Sequence, residues 1–258
     1  MILEKYEWGD PAAPPLVLIH GVGSRAEEFA EAAQFWGAER RVIAFDLRGH
    51  NRSGFAPPWS HATYVEDLVE SVRALGIARA DWLGFSFGGS LLLKMAVTHP
   101  EVIDRSILLE PVIKISPELA DRRAQEELTG DVWDSVEDFI RAHSYGAEPN
   151  FDDADRIATY FDALPDGRVK RRTSQTAIVS IFSEFAADSP PPETLAGGTT
   201  ALLYAPAFGL VQPDQLEAYR PYLERVVALP GMHSVFQTAF AETTAAVTAF
   251  LNETESTA

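Results

Sequence analysis

Six short runs of aliphatic and β-branched residues outline what this chain can fold into: LVLIH (16–20), RVIAF (41–45), ADWLGF (80–85), RSILLE (105–110), TTALLYA (199–205) and RVVALP (225–230). They are near-continuously apolar, the pattern of strands buried on both faces of a parallel sheet. Stretches with helical spacing separate them at 24–36, 63–75 and 88–99, after Pro213, and at 238–251. The second opens with Thr63-x-x-Glu66, a capping box, and closes on Gly76; the third stops at His99-Pro100. Strand and helix alternating through short links predict an α/β fold, with a mostly parallel central sheet and helices on both faces.

After Glu110-Pro111 the alternation stops. Four stretches, 117–128, 135–145, 152–164 and 173–185, have helical spacing with no clear strand among them. Leu164-Pro165-Asp166-Gly167 and Ser189-Pro190-Pro191-Pro192 divide and end this region. The expected organisation is a core of residues 1–111 and 196–258, with an all-helical cap insert at 112–195 over one end of the sheet. No internal repeat or low-complexity tract interrupts it.

Charge narrows the partners. Thirty-eight acidic residues against 21 basic ones leave −17 at pH 7 among 258 residues. Such a surface repels nucleic-acid phosphates and anionic lipid headgroups. No apolar run approaches the roughly 18 residues of a membrane span, and the acidic start MILEKYEWGD lacks a basic and then apolar leader. With no cysteine there is no disulfide, thiolate nucleophile or zinc ribbon. These features fit a cytoplasmic protein acting on a small molecule.

Two motifs bear on the chemistry. Gly21-Val-Gly23-Ser-Arg-Ala26 follows a strand and opens a helix, and Asp46 ends the next strand, as in a dinucleotide-binding turn with its ribose carboxylate. Gly84-Phe-Ser86-Phe-Gly88 is G-x-S-x-G between a strand and a helix, where a serine on a sharp turn is exposed as a nucleophile and the helix N-terminus favours developing negative charge. Read simply as structure, it is a helix start eased by glycine. A nucleophilic serine needs a base. His233, in LPGMHSV between the last strand and last helix, has the right chain order. His99 reads as a helix-end residue, His50 and His61 as surface-loop residues, and His143 as a helix-face residue of the insert.

LVLIHGVGSRAEEF, VIAFDLRGHNRSG, WLGFSFGG and LPGMHSVF together resemble the α/β-hydrolase superfamily over nearly the whole chain except the insert. The resemblance implies Ser86 as nucleophile, His233 as base, and backbone amides of Val22 and Phe87 as the oxyanion hole. It recasts Asp46 as a scaffold residue and the insert as the family's cap. The family usually places an Asp after the strand that follows the cap; here Phe208 stands at that spot. Some members, among them zearalenone lactonases and certain lipases and dehalogenases, take the acid from the preceding strand, which points to Glu110. Asp214, after Pro213, is the runner-up. LPGMH with Glu110 is also similar to the zearalenone lactonases, although the residues around their nucleophile differ from GFSFGG.

The resulting expectation is a serine hydrolase cleaving an ester or lactone of a mid-sized, neutral and largely apolar substrate, with no cofactor or metal. Aromatic residues of the insert (Trp133, Phe139, Tyr145, Phe151, Tyr160, Phe161, Phe182, Phe185) are expected mainly to pack, a few facing the cleft; Lys170-Arg171-Arg172 reads as a solvated face. The same site could serve C–C bond hydrolysis, peracid formation or elimination. A ligand receptor with a retained triad and an NAD-dependent oxidoreductase are the readings from other classes.

Overall fold

The computed structural model describes residues 1–143, 148–187 and 189–252; Tyr145 lies outside them. The chain begins with β1 (Lys5–Trp8), β2 (Pro15–Ile19), α1 (Ala30–Trp36), β3 (Arg41–Phe45), α2 (His61–Ala74), β4 (Ala80–Phe85), α3 (Phe87–Thr98) and β5 (Ile103–Leu109). Next come α4 (Pro117–Glu127), β6 (Val132–Trp133), α5 (Val136–Ala142), α6 (Ala154–Ala158), β7 (Phe161–Ala163), β8 (Val169–Arg171) and α7 (Gln175–Ala186). It closes with β9 (Thr199–Tyr204), α8 (Pro213–Tyr219), β10 (Arg225–Ala228), α9 (Val235–Thr238) and α10 (Phe240–Leu251).

Among the described residues, seven strands form one sheet in the order β1-β3-β2-β4-β5-β9-β10. All neighbours are parallel except β1, which pairs antiparallel with β3. Successive side chains of one strand point to opposite faces, so each strand feeds two cores. Val17 and Ile19 of β2, and Ile43 and Phe45 of β3, face α2 and α3 with Trp82, Tyr64 and Leu91. Leu16, Leu18, Val42 and Ala44 face α1 and α10 with Trp36 and Phe250. The expected two-sided sheet is present. No helix among the described residues is long and apolar enough to cross a membrane.

Local starts differ from expectation in two places. Helix α2 begins at His61, two residues before the assumed cap residue Thr63, because Ser60 accepts the Thr63 amide and serves as N-cap. The 24–36 stretch is a short 3₁₀ turn, Ala26–Phe29, running into α1.

The insert is not all-helical. Among its described residues, β6, β8 and β7 form an antiparallel three-stranded sheet in that order. The 152–164 stretch is helical only through Ala158 and then turns extended at Phe161. The Leu164–Gly167 punctuation is the hairpin turn joining β7 to β8, with the Leu164 amide bonded to the Arg168 carbonyl. Phe161 and Arg171, paired across β7 and β8, are buried, while Asp162 and Lys170, the next pair along the ladder, are exposed.

Arg171 corrects the reading of Lys170-Arg171-Arg172 as a solvated face. Its side chain is buried, its guanidinium lies 2.8 Å from Glu127 and packs over the Phe139 ring. Removing one partner of a buried ion pair strands the other charge in low dielectric, at a cost of about 3–5 kcal/mol. Glu127→Ala should therefore lower unfolding free energy by about that amount in urea titration. The double change Glu127→Leu with Arg171→Met should recover most of it; equal loss in both would show that the charges matter little.

Candidate active site

Ser86 sits at the junction of β4 and α3 with φ 53° and ψ −110°, strained for any side-chain-bearing residue. Two glycines make room for this bend. A Cβ on Gly84 would lie 2.2 Å from the Gly88 carbonyl oxygen, and one on Gly88 would lie 2.2 Å from that of Ile19. The Ser86 amide is tied to β5 through the Leu109 carbonyl at 2.9 Å.

The chain brings two distant residues to Ser86. His233 Nε2 is 3.1 Å from Ser86 Oγ, and its Nδ1 is 3.2 Å from Glu110 Oε2. Because the carboxylate accepts, Nδ1 carries the imidazole proton and Nε2 is left to receive the serine hydroxyl. Glu110 is wholly buried at the end of β5, with its second oxygen accepting the Ala205 amide at 2.8 Å. Asp214, the alternative acid, is exposed in the first turn of α8. Phe208 lies stacked on the His233 ring, centroids 4.9 Å apart.

Val22 lines the cavity above Ser86, and Phe87 opens α3, where a helix leaves its first amides without intrahelical partners. The Phe87 ring turns away into the core against Tyr64 and Phe185. The cavity holds about 390 Å³ between the sheet and the insert. Phe29, Phe85, Ile178, Phe182 and Phe236 form its apolar wall; Glu28, Arg156, Glu127 and Arg171 form a charged one. Of the insert aromatics, Phe139, Tyr160, Phe161 and Phe182 reach the cavity. Among the described residues no group of three or more His, Asp or Glu side chains is arranged to hold a metal ion.

The histidines read as peripheral include the main surprise. His50 is completely buried, and its Nε2 accepts the Gly23 amide at 3.1 Å while Nδ1 faces the Arg48 carbonyl at 2.9 Å. Beside it, centroids 5.0 Å apart, His20 donates from Nδ1 to the Gly21 carbonyl and accepts the Leu47 amide at Nε2. Two neutral imidazoles thus hold the 20–23 loop beside Ser86. Burial pushes His20 down to about 4 and His50 to about 3. The clue in the sequence was HGVG preceding DLRGH, one histidine directly after β2 and the other in the turn five residues after β3. His61 is half-buried at the start of α2 against the Phe87 and Phe185 rings, and desolvation lowers it to about 4. His99 does cap a helix end, bonded to Glu66 and Glu101. His143 follows α5 and lines the cavity.

The dinucleotide reading of the first turn fails on the same geometry. Asp46 is buried, accepting the Ala26 amide at 2.9 Å and Asn51 Nδ2 at 2.9 Å, and Gly23 already donates to His50. Neither is open to a ribose or a pyrophosphate.

The sequence profile described as "alpha/beta hydrolase fold" matches residues 14–148, just over half of the chain. The chain belongs to the α/β-hydrolase family. The match covers the elbow, the 20–23 loop and Glu110, and stops before His233. Lipase LipV of Mycobacterium tuberculosis is 29% identical to this α/β-hydrolase over 216 residues, covering 77% of this chain and 78% of LipV. The pimeloyl-[acyl-carrier protein] methyl ester esterase of Salmonella heidelberg is 30% identical over 160 residues, 58% of this chain and 60% of the relative, so less than two thirds of that protein is spanned. Among solved structures, the enol-lactonase of Burkholderia xenovorans LB400 superposes with a TM-score of 0.79 at 22% identity, over 97% of this chain and 96% of the other.

The buried histidines give this α/β-hydrolase an acid limit. Between pH about 6.5 and their depressed values, the unfolded chain binds protons that folded His20, His50 and His61 refuse, so stability falls as pH drops through that window. Each contributes a slope of about 1.4 kcal/mol per pH unit. His50→Gln, which keeps an acceptor near the Nε2 position without a titrating group, should flatten the fall in urea-unfolding free energy between pH 6.5 and 5 by about one such slope. An unchanged slope would mean that His50 titrates alike in both states.

Proposed function

We propose that this hydrolase cleaves a carboxylic ester or lactone of a mid-sized, largely apolar substrate through an acyl-enzyme. The observation carrying this reading is the hydrogen-bonded line from Ser86 through His233 to buried Glu110, opening onto the apolar wall of a 390 Å³ cavity. Ser86 Oγ attacks the carbonyl carbon as His233 Nε2 takes its proton, giving a tetrahedral oxyanion. The Val22 and Phe87 amides receive that charge, each such donor being worth about 3–4 kcal/mol at the transition state. Collapse expels the alkoxide, protonated by the imidazolium; in a lactone it stays tethered. Water then repeats the sequence, with His233 as base, and frees the acid and Ser86. Glu110 keeps the imidazole in the Nδ1–H tautomer and balances its charge while protonated. The insert acts as a lid that excludes bulk water.

The lipase and esterase names among the relatives agree with ester chemistry. A cytoplasmic setting agrees with the absence of cysteine and with the acidic surface.

Ser86→Ala should abolish both turnover of p-nitrophenyl esters and labelling by a fluorophosphonate probe. Loss of the carboxylate charge in a serine-protease triad lowers kcat by about 10⁴-fold, and Glu110→Gln here should lose at least ~10²-fold while Asp214→Asn stays near wild type. A native protein that the probe does not label would sink the reading; near-native Glu110→Gln would reassign the acid.

The −17 net charge lowers encounter rates of anions and leaves neutral molecules untouched. A neutral ester should therefore have a higher kcat/KM than an isosteric ester carrying a carboxylate. The gap should narrow as salt rises. A preference for the charged ester would instead assign Arg156 and Arg171 to binding it.

A further inference from the structure

His233 stands on an exposed loop. Met232 and Ser234 on either side of it are exposed, and its own side chain is 29% accessible. Backbone bonds hold the loop at Leu229, Met232 and Val235, through Tyr204, Thr238 Oγ1 and the His233 carbonyl. None of these fixes the imidazole about its own bonds. The two side-chain contacts that do, at 3.1 and 3.2 Å, are at the long end for hydrogen bonds.

Two phenyl rings supply the missing restraint. The Phe208 ring stacks on the imidazole at 4.9 Å between centroids and 21° between planes; Phe85 lies at 5.1 Å and 30°. Phe85 is braced by the Phe236 ring, 6.3 Å away at 68°. Phe208 is 44% exposed and belongs to neither hydrophobic core, so packing the interior does not account for it.

The turn that presents Phe208 is fastened by the same carboxylate that holds the imidazole. Glu110 Oε1 accepts the Ala205 amide, and the Ala205 carbonyl then accepts the Phe208 and Gly209 amides, with Gly209 at φ 72° closing the turn. One oxygen of Glu110 thus sets Nδ1 in place, and the other anchors the ring that covers the imidazole face.

We propose that Phe208 is a positioning residue: its ring, with that of Phe85, clamps His233 so that Nε2 stays on Ser86 and Nδ1 on Glu110. This rests on the reading of His233 as the general base. A stacked ring blocks rotation that would swap the two nitrogens, and its π face also lies against the imidazolium that forms when the serine proton is taken. An aliphatic side chain of similar bulk would shield the ring but would offer neither a flat surface nor a quadrupole.

The test compares wild type with Phe208→Ala, Phe208→Leu and Phe208→Trp on one p-nitrophenyl ester, with melting temperatures and NMR of the His233 ring protons. Aromatic pairs are worth enough that Phe208→Ala and Phe208→Leu should lose about 10-fold in kcat, with KM within about 2-fold and little change in melting temperature. Phe208→Trp should retain most of the rate. The His233 ring protons should be shifted upfield by ring current in wild type and Phe208→Trp, and move downfield in Phe208→Ala and Phe208→Leu. Wild-type kcat in Phe208→Ala, or equal losses in the Trp and Leu variants, would overturn the proposal. If the wild-type protein neither turns over esters nor takes the fluorophosphonate label, the hydrolase reading has failed on its own, and unmoved His233 resonances in Phe208→Ala would then reject the clamp separately.

Discussion

A carboxylate with no access to water must have both oxygens satisfied, and at Glu110 that requirement organises the end of the sheet that carries Ser86. One oxygen takes the Ala205 amide after β9; the other takes the His233 imidazole after β10. Its own backbone amide bonds the Leu203 carbonyl, and at φ 47° the chain leaves the sheet there for the insert. Three segments far apart in sequence therefore converge on one charge. Ser86 joins them because its amide is bonded to Leu109, the residue before Glu110.

The opposite side of the serine rests on uncharged groups. His20 and His50 hold the 20–23 loop only while neutral, each accepting a backbone amide at Nε2. The insert braces the same region: Thr173 bridges His50, the Ser174 amide bonds the Gly49 carbonyl, and the Asn51 amide bonds the Arg172 carbonyl. The insert and the loop beside Ser86 are thus one hydrogen-bonded structure, and the Glu127–Arg171 pair ties α4 to β8 within the insert.

Strands buried on both faces were legible because their apolar runs have no other stable use; β3 and β4 begin and end where RVIAF and ADWLGF do. The edge strand β1 was not, since KYEW is half-exposed along its length and has no apolar run. Of the short strands of the insert, β7 hid at the end of a stretch with helical spacing, while β6 and β8 fall between such stretches and, at two and three residues, are too short to show a period of their own. Ser86, His233 and Glu110 could be singled out from G-x-S-x-G, chain order and a strand-end carboxylate, and the fold brings all three together. The full burial of His50 and the half-burial of His61 were hidden, because a histidine in a polar stretch gives no sign of which neighbours will cover it. Arg171 was hidden for the same reason, its partner Glu127 lying 44 residues away.

The separation of Ser86 from its imidazole has a consequence for how the molecule is made. The serine, its strained turn and Glu110 all lie within β4, α3 and β5, whereas His233 comes 147 residues after Ser86 and rides behind β10, an edge strand that pairs only with β9. In order of synthesis β1–β9 and the insert all precede the imidazole, so until the last segment is made Ser86 is an ordinary alcohol with no base beside it. Only when the final strand docks does the hydroxyl gain its acceptor. A chain cut short before that strand would lose the imidazole together with α10, which covers one face of the sheet, so the acceptor for Ser86 arrives only with the last elements of the core.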